Sequence, residues 1–307
     1  MKKILIVLLI LIMAVVAGYY TFPERVAGYM LDLARSNAGL TQKEIKIDDH
    51  NIVYLEGGKG ETILLLHGYT AEKDNWLQFA AYLTKDYHVV IPDIPGYGES
   101  SQLMDASYNL SNQMFRLHKF AQAVNPKKFH IVGNSMGGFF AGTYAVRYPD
   151  EIISLGLFDA GGVMPLEKNV IMKMMGKGEN PIVLKNSGDW PRIMGLVFVN
   201  PPSLPYPLKK VFIQKALANR NFYEKALKEI KPDFFSLEKN LPKIKAPTLI
   251  LWGDQDKILD ISSVPVFEKG LKNHKTVIMK DCGHVPQVEK PKETAMHYLD
   301  FIKTIKN

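Results

Sequence analysis

From about residue 45 the chain alternates short apolar runs with stretches of helical period. The runs are IKIDD, NIVYLEG, TILLLHG, YHVVIPD, FHIVGNS, SLGLFDA, TLILWGD and TVIMKD. Several are apolar at consecutive positions, as parallel strands buried on both faces require, whereas the first two, separated by a short turn, suit an antiparallel opening. Strands alternating with helices predict an α/β fold: a mostly parallel eight-stranded sheet with helices on both faces. GGKGET at 57–62 resembles a phosphate loop only superficially, since its spacing is wrong, and is expected to be a turn.

Between SLGLFDA and TLILWGD the pattern lapses for about 85 residues, too many for a single crossover. A helical cap inserted between strands six and seven is therefore expected. It carries Met164, Met172, Met174, Met175 and Met194, a proline-rich NPPSLPYP at 200–207, and a helical stretch from about 208 to 231. Methionine fills irregular apolar space, which suits a pocket for flexible chains and equally suits ordinary packing within the cap.

The apolar pattern is densest at the start. After Lys2 and Lys3, residues 4–22 carry no charge over 19 positions, enough helix to cross roughly 30 Å of hydrocarbon. A cleaved signal peptide would begin the same way, and Val15 and Ala17 would serve its cleavage site. Tyr19, Tyr20 and Phe22 at the interface, followed by Pro23, Glu24 and Arg25, favour a retained anchor. Positive residues before the apolar run place the N-terminus in the cytoplasm and the rest of the chain on the extracytoplasmic, periplasmic side of the cell membrane. Residues 25–40 then read as a helix with Val26, Met30, Leu33 and Ala34 on one side, lying on the membrane surface or docked on the core. The expected organisation is a transmembrane anchor at 4–22, a juxtamembrane helix at 23–44, a core at 45–160, a cap at 161–245 and the rest of the core at 246–307.

Composition adds little until charge is located. The net charge is +7, and residues 160–245 hold 15 Lys/Arg against 7 Asp/Glu. The basic excess therefore belongs to the cap, either as a solvated face or as a surface meeting anionic lipid. Nucleic acid is disfavoured because no dense Lys/Arg run or binding motif is present. The single cysteine, Cys282, excludes an intrachain disulfide, and no clustered His/Cys spacing suggests a metal.

The chemistry centres on Gly133-Asn134-Ser135-Met136-Gly137, between a strand-like FHIV and a helix-like GFFAGTYAVRY. This is the context of a nucleophile elbow, in which Ser135 is held in an unfavourable backbone conformation and Gly133 and Gly137 let strand and helix pack closely. A serine hydroxyl needs a general base and an orienting carboxylate. Among eight histidines, His284 in KDCGHVP directly follows the last strand, at the carboxyl edge where α/β sites form. His50, His88, His118, His130, His274 and His297 fall in strands, in helices or at the opposite edge. The loop GDQDKILD offers Asp254, Asp256 and Asp260; Asp256 is far enough from the strand end to reach His284, and the others suit turns. Backbone N–H groups of Met136 and of Tyr69, in the loop His67-Gly68-Tyr69-Thr70, are expected to form the oxyanion hole. His67 is expected to shape that loop.

Taken in order, LLLHGYT, PDIPGYGES, GNSMGG, LWGDQDKILD and CGHVP resemble the α/β-hydrolase superfamily across residues 45–307. KDNW, NPPSLP and NFYEKALKEI make the chain most similar to its membrane-anchored monoacylglycerol lipases and their bacterial lipase and phospholipase A relatives. The resemblance implies Ser135 as nucleophile, Asp256 as acid, His284 as base, Tyr69 and Met136 as oxyanion donors, and a cap over an acyl pocket. It points to a serine ester hydrolase of lipids, with a lipid ester substrate, the bilayer and a fatty acid product as partners; no cofactor or metal is expected, and a homodimer is an open alternative to the monomer. A carboxylesterase for small soluble esters and a non-catalytic binding protein are the competing functions, because this fold hosts many chemistries.

Overall fold

A computed structural model describes residues 2–124 and 127–306. Its sheet comprises β1 (Leu40–Ile47), β2 (His50–Gly57), β3 (Thr62–Leu66), β4 (His88–Pro92), β5 (Phe129–Asn134), β6 (Ile152–Phe158), β7 (Thr248–Gly253) and β8 (His274–Met279). The spatial order is β1-β2-β4-β3-β5-β6-β7-β8. β2 runs antiparallel to both β1 and β4, and the remaining pairs are parallel. All eight expected strands are present, and β3, β5 and β7 are buried at every position.

The helices are α1 (Lys2–Thr21), α2 (Pro23–Asn37), α3 (Leu77–Leu83), α4 (Leu110–Val124), α5 (Met136–Arg147), α6 (Val170–Gly176), α7 (Trp190–Val197), α8 (Tyr206–Ala218), α9 (Arg220–Ile230), α10 (Val264–Gly270), α11 (Pro286–Glu289) and α12 (Pro291–Lys306). One sheet face is covered by a core that includes Met114, Phe120, Phe139, Phe140 and Tyr144. The other is covered by Trp76, Phe79, Leu83, Tyr298 and Phe301. Residues 159–247, holding α6–α9, form the cap, and Phe222, Tyr223, Ala226 and Ile230 of α9 belong to the first core. Each large apolar side chain so buried contributes about 1.5–3 kcal/mol, so α9 fastens the cap to the sheet.

Two local expectations are corrected. β1 opens at Leu40, earlier than 45: Gly39 at φ +70° turns the chain out of α2 and lets Leu40 pair at once with Gly57. Most of β1 is exposed at the sheet edge, which is why its polar sequence LTQKEIKI gave a weak apolar signal. The helical stretch at 208–231 is broken at Asn219, which leaves the helical conformation at φ −88°, ψ 1°; asparagine competes poorly for helix interiors.

α1 is long and apolar, and its described side chains are mostly exposed rather than packed on the core, which fits membrane anchoring. Its aromatic end meets the cap: the Tyr206 N–H donates to the Tyr19 hydroxyl at 3.1 Å, and the rings of Tyr19, Tyr20 and Tyr206 cluster. α2 follows and packs between α8 and β1. Its inward face is Pro23, Ala27 and Arg35, whereas Leu33, grouped on one side with Val26, Met30 and Ala34 for a membrane surface or the core, is exposed. The apolar period misled here because the buried position belongs to an arginine paired with Asp74 by two hydrogen bonds of 2.7 and 2.6 Å.

Candidate active site

Ser135 sits between β5 and α5 at φ +58°, ψ −120°, a conformation that costs a non-glycine residue free energy and needs support. Its N–H donates to the Phe158 carbonyl, and its own carbonyl accepts from Phe139 and Gly161. The small neighbours are sterically required. A Cβ on Gly133 would overlap the Gly137 carbonyl, and one on Gly137 would overlap the carbonyls of Leu66 and His67. Strand, helix and the loop after β3 therefore meet at van der Waals distance around one serine.

Asp256 and His284 lie in the loops after β7 and β8. The Asp256 Oδ1 accepts from the N–H groups of Ile258 at 2.7 Å and Leu259 at 3.0 Å, and its Oδ2 lies 2.7 Å from His284 Nδ1. Both side chains are buried. Asp254 instead accepts from the Cys282 N–H and Asp260 caps the turn at Ser262, so each of the three aspartates has a separate task. His284 is tied to the serine through Asn134, whose Nδ2 donates to the His284 carbonyl at 2.9 Å and to the Phe158 carbonyl at 3.0 Å. Among the described residues no hydrogen bond joins Ser135 Oγ to His284 directly; such contacts are often long before substrate binds.

The loop after β3 closes the other side. A Cβ on Gly68 would stand 3.1 Å from Ser135 Cβ and 3.6 Å from its Oγ. His67 is wholly buried; its Nε2 accepts from the Ile94 N–H at 3.0 Å, so Nδ1 carries the proton and donates to the Gly68 carbonyl at 2.8 Å. Burial lowers the pKa of this imidazole, consistent with the neutral form those two bonds demand. Beneath the loop, Lys73 is fully buried with its ammonium 2.8 Å from Asp93. Burial opposes that charge, but Asp93, Asp74 and Glu99 outweigh it and hold the pKa above its ordinary value.

Tyr69 and Met136 flank Ser135 from these two directions, and among the described residues nothing accepts from either backbone N–H. The Tyr69 ring packs edge-on against Tyr97 and Tyr223, and its hydroxyl accepts from Asn180 of the cap at 3.3 Å. Tyr97 stacks on Tyr223 of α9 and donates to the Met136 sulfur. The cap also grips the histidine loop: the His284 N–H donates to the Val197 carbonyl at 2.8 Å, and Glu289 accepts from Gly283, Val199 and Asn200. Sequence reasoning missed Asn134, Asp159, Asn180, Tyr223 and Glu289 as parts of this site. Asn134 and Asp159 adjoin strand ends and could have been suspected; the cap residues carry no local signal.

Asp159, Asp256 and His284 bring three ligand-type atoms within 4.8 Å of one another. Both oxygens of Asp256 and Oδ1 of Asp159 are taken up by internal hydrogen bonds. The trio is thus an acid–base cluster, with too few free donors for a cation cage.

The model of the alpha/beta hydrolase fold matches residues 61–177 and 183–291. Lipase 1 of Psychrobacter immobilis is 35% identical over 89% of this chain and 87% of its own length. The monoacylglycerol lipase ABHD6 of Mus musculus is 29% identical over 96% of this chain and 92% of its own. Among solved structures, that of a membrane phospholipase A described as a bacterial virulence factor superposes with a TM-score of 0.91 at 42% identity, covering both chains fully. A match spanning both halves of the core, with relatives alike over nearly their whole length, establishes that the chain belongs to the alpha/beta hydrolase fold family.

Proposed function

We propose that this protein is a membrane-anchored serine hydrolase that cleaves acyl esters of lipids, acylglycerols or glycerophospholipids, through an acyl-enzyme on Ser135. The observation that carries the proposal is the 2.7 Å Asp256–His284 contact, joined through Asn134 to a serine held on a strained turn. With Nδ1 engaged by Asp256, His284 Nε2 takes the Ser135 proton as Oγ attacks the ester carbonyl. The N–H groups of Tyr69 and Met136 receive the developing oxyanion. Collapse expels the alcohol, protonated by His284; water, activated by the same nitrogen, then releases the fatty acid.

The lipid substrate class is supported by the lipase, monoacylglycerol lipase and phospholipase A names of full-length relatives. It is also supported by an exposed apolar helix whose aromatic end touches the cap. In this account α1 crosses the bilayer with Lys2 and Lys3 in the cytoplasm, the hydrolase body stands on the opposite side, and the basic cap faces anionic headgroups.

Fluorophosphonate labelling and a nitrophenyl ester series from acetyl to palmitoyl test the proposal. Wild type labels at Ser135 and retains turnover at octanoyl and beyond, and Ser135→Ala loses labelling and about 10³-fold or more of turnover. Activity that peaks at acetyl and vanishes by octanoyl would instead identify an esterase for small soluble substrates.

A further inference from the structure

Asp159 follows β6 directly and has no assigned part in the scheme above, yet it lies against its acid and base. It is fully buried and adopts φ +43°, a region that aspartate enters at a cost. Its N–H donates to the Leu251 carbonyl and its Oδ1 accepts from the Gly253 N–H at 2.9 Å. These bonds fix the carboxyl between β6 and β7, with Asp256 and His284 within 4.8 Å. Oδ2 is buried and makes no hydrogen bond as an acceptor.

Two buried carboxyls this close do not both ionise. Asp256 has three partners for its negative charge, the N–H groups of Ile258 and Leu259 and the His284 ring, whereas Asp159 has one. The charge therefore resides on Asp256 and the proton on Asp159. Burial, then the Asp256 charge, push the Asp159 carboxyl well above the usual carboxylate range. Cys282 and Glu289 also interact with Asp159; Glu289 adds to the push, and burial keeps the Cys282 thiol neutral. The free oxygen, Oδ2, is the natural seat of that proton, which turns an orphaned acceptor into a donor.

We propose that Asp159 is a positioning residue, a carboxylic acid that donates from Oδ2 to the Asp256 carboxylate and so sets the orientation and basicity of the Asp256–His284 pair. The inference rests on the triad proposed above. The Asp159 proton withdraws part of the Asp256 charge, so His284 is held firmly without being made too strong a base to return its proton to the leaving group.

The test compares Asp159→Ala with Asp159→Asn in the full-length protein in detergent micelles. Asparagine preserves both bonds, accepting from Gly253 and donating to Asp256. Asp159→Ala lowers kcat about tenfold with little change in KM, and moves the acid limb of the kcat/KM profile upward by about half a pH unit. Asp159→Asn recovers most of the turnover and leaves that limb in place. The infrared difference spectrum of wild type minus Asp159→Asn at neutral pH carries a carboxylic acid C=O band. A carboxylate band in its place, or a limb that moves downward in Asp159→Asn because a negative charge has gone, overturns the inference even if Asp159→Ala does not fold. Wild-type kcat and profile in a folded Asp159→Ala overturn it as well. His284→Ala, assayed alongside, separates the two levels: its turnover is lost if the triad holds, whatever Asp159 does, and is retained if the triad itself is wrong.

Discussion

In the unfolded chain Asp159 is an ordinary aspartate with a pKa of about 4, but in the folded protein burial and the charge of Asp256 raise it far above that. Below about pH 4 both states hold the proton and the site costs nothing. As the pH rises above that value, folding must take up a proton, and stability falls progressively toward the folded-state pKa. Asp159→Asn removes this cost. The melting temperature of the variant is expected to exceed that of wild type by a margin that widens between pH 5 and pH 8; a constant or shrinking margin would show that Asp159 folds ionised. At this scale Ser135 and its glycines were legible because a turn that tight admits few residues, and the requirement is written into consecutive positions. Asp256 and His284 were legible because each follows a strand recognisable by its apolar run. Asp159 also follows such a strand, but its protonation depends on contacts with β7 and its loop that no local pattern encodes.

At the scale of elements, α2 is fastened by charge as well as by apolar contact. Arg35, only 9% exposed in its side chain, meets Asp74, 4% exposed, within the segment that also carries Lys73 under the loop beside Ser135. Removing one partner of a buried pair leaves the other uncompensated, so Arg35→Ala is expected to cost about 3 kcal/mol, read as a lower denaturant midpoint. A change within 0.5 kcal/mol, the range typical of surface sites, would place the α2 contact outside the cooperative fold. The central strands were legible because buried parallel strands are apolar on both faces. The inward face of α2 was not, since a hydrophobic period cannot register a buried arginine, and the edge strand β1 was found late because half-solvated strands look like loops.

At the scale of the whole molecule, the cap is the part the sequence described least and the site depends on most. Its position between β6 and β7 followed from length alone, but its contacts through Tyr223, Asn180 and Val197 pair residues distant in the chain and emerge only on folding. Those contacts hold the Tyr69 loop and the His284 loop from above, while α8 touches the aromatic end of α1. The arrangement couples an exposed apolar helix to the cap and the cap to the site, the geometry expected if the proposed enzyme draws its substrate from a bilayer. The most direct test is mass-spectrometric lipid profiling of membranes incubated with the full-length protein and with Ser135→Ala. The account predicts that free fatty acids rise and one class of acylglycerol or glycerophospholipid falls with the wild type alone; identical profiles for the two, or equal fatty acid release by both, would contradict it.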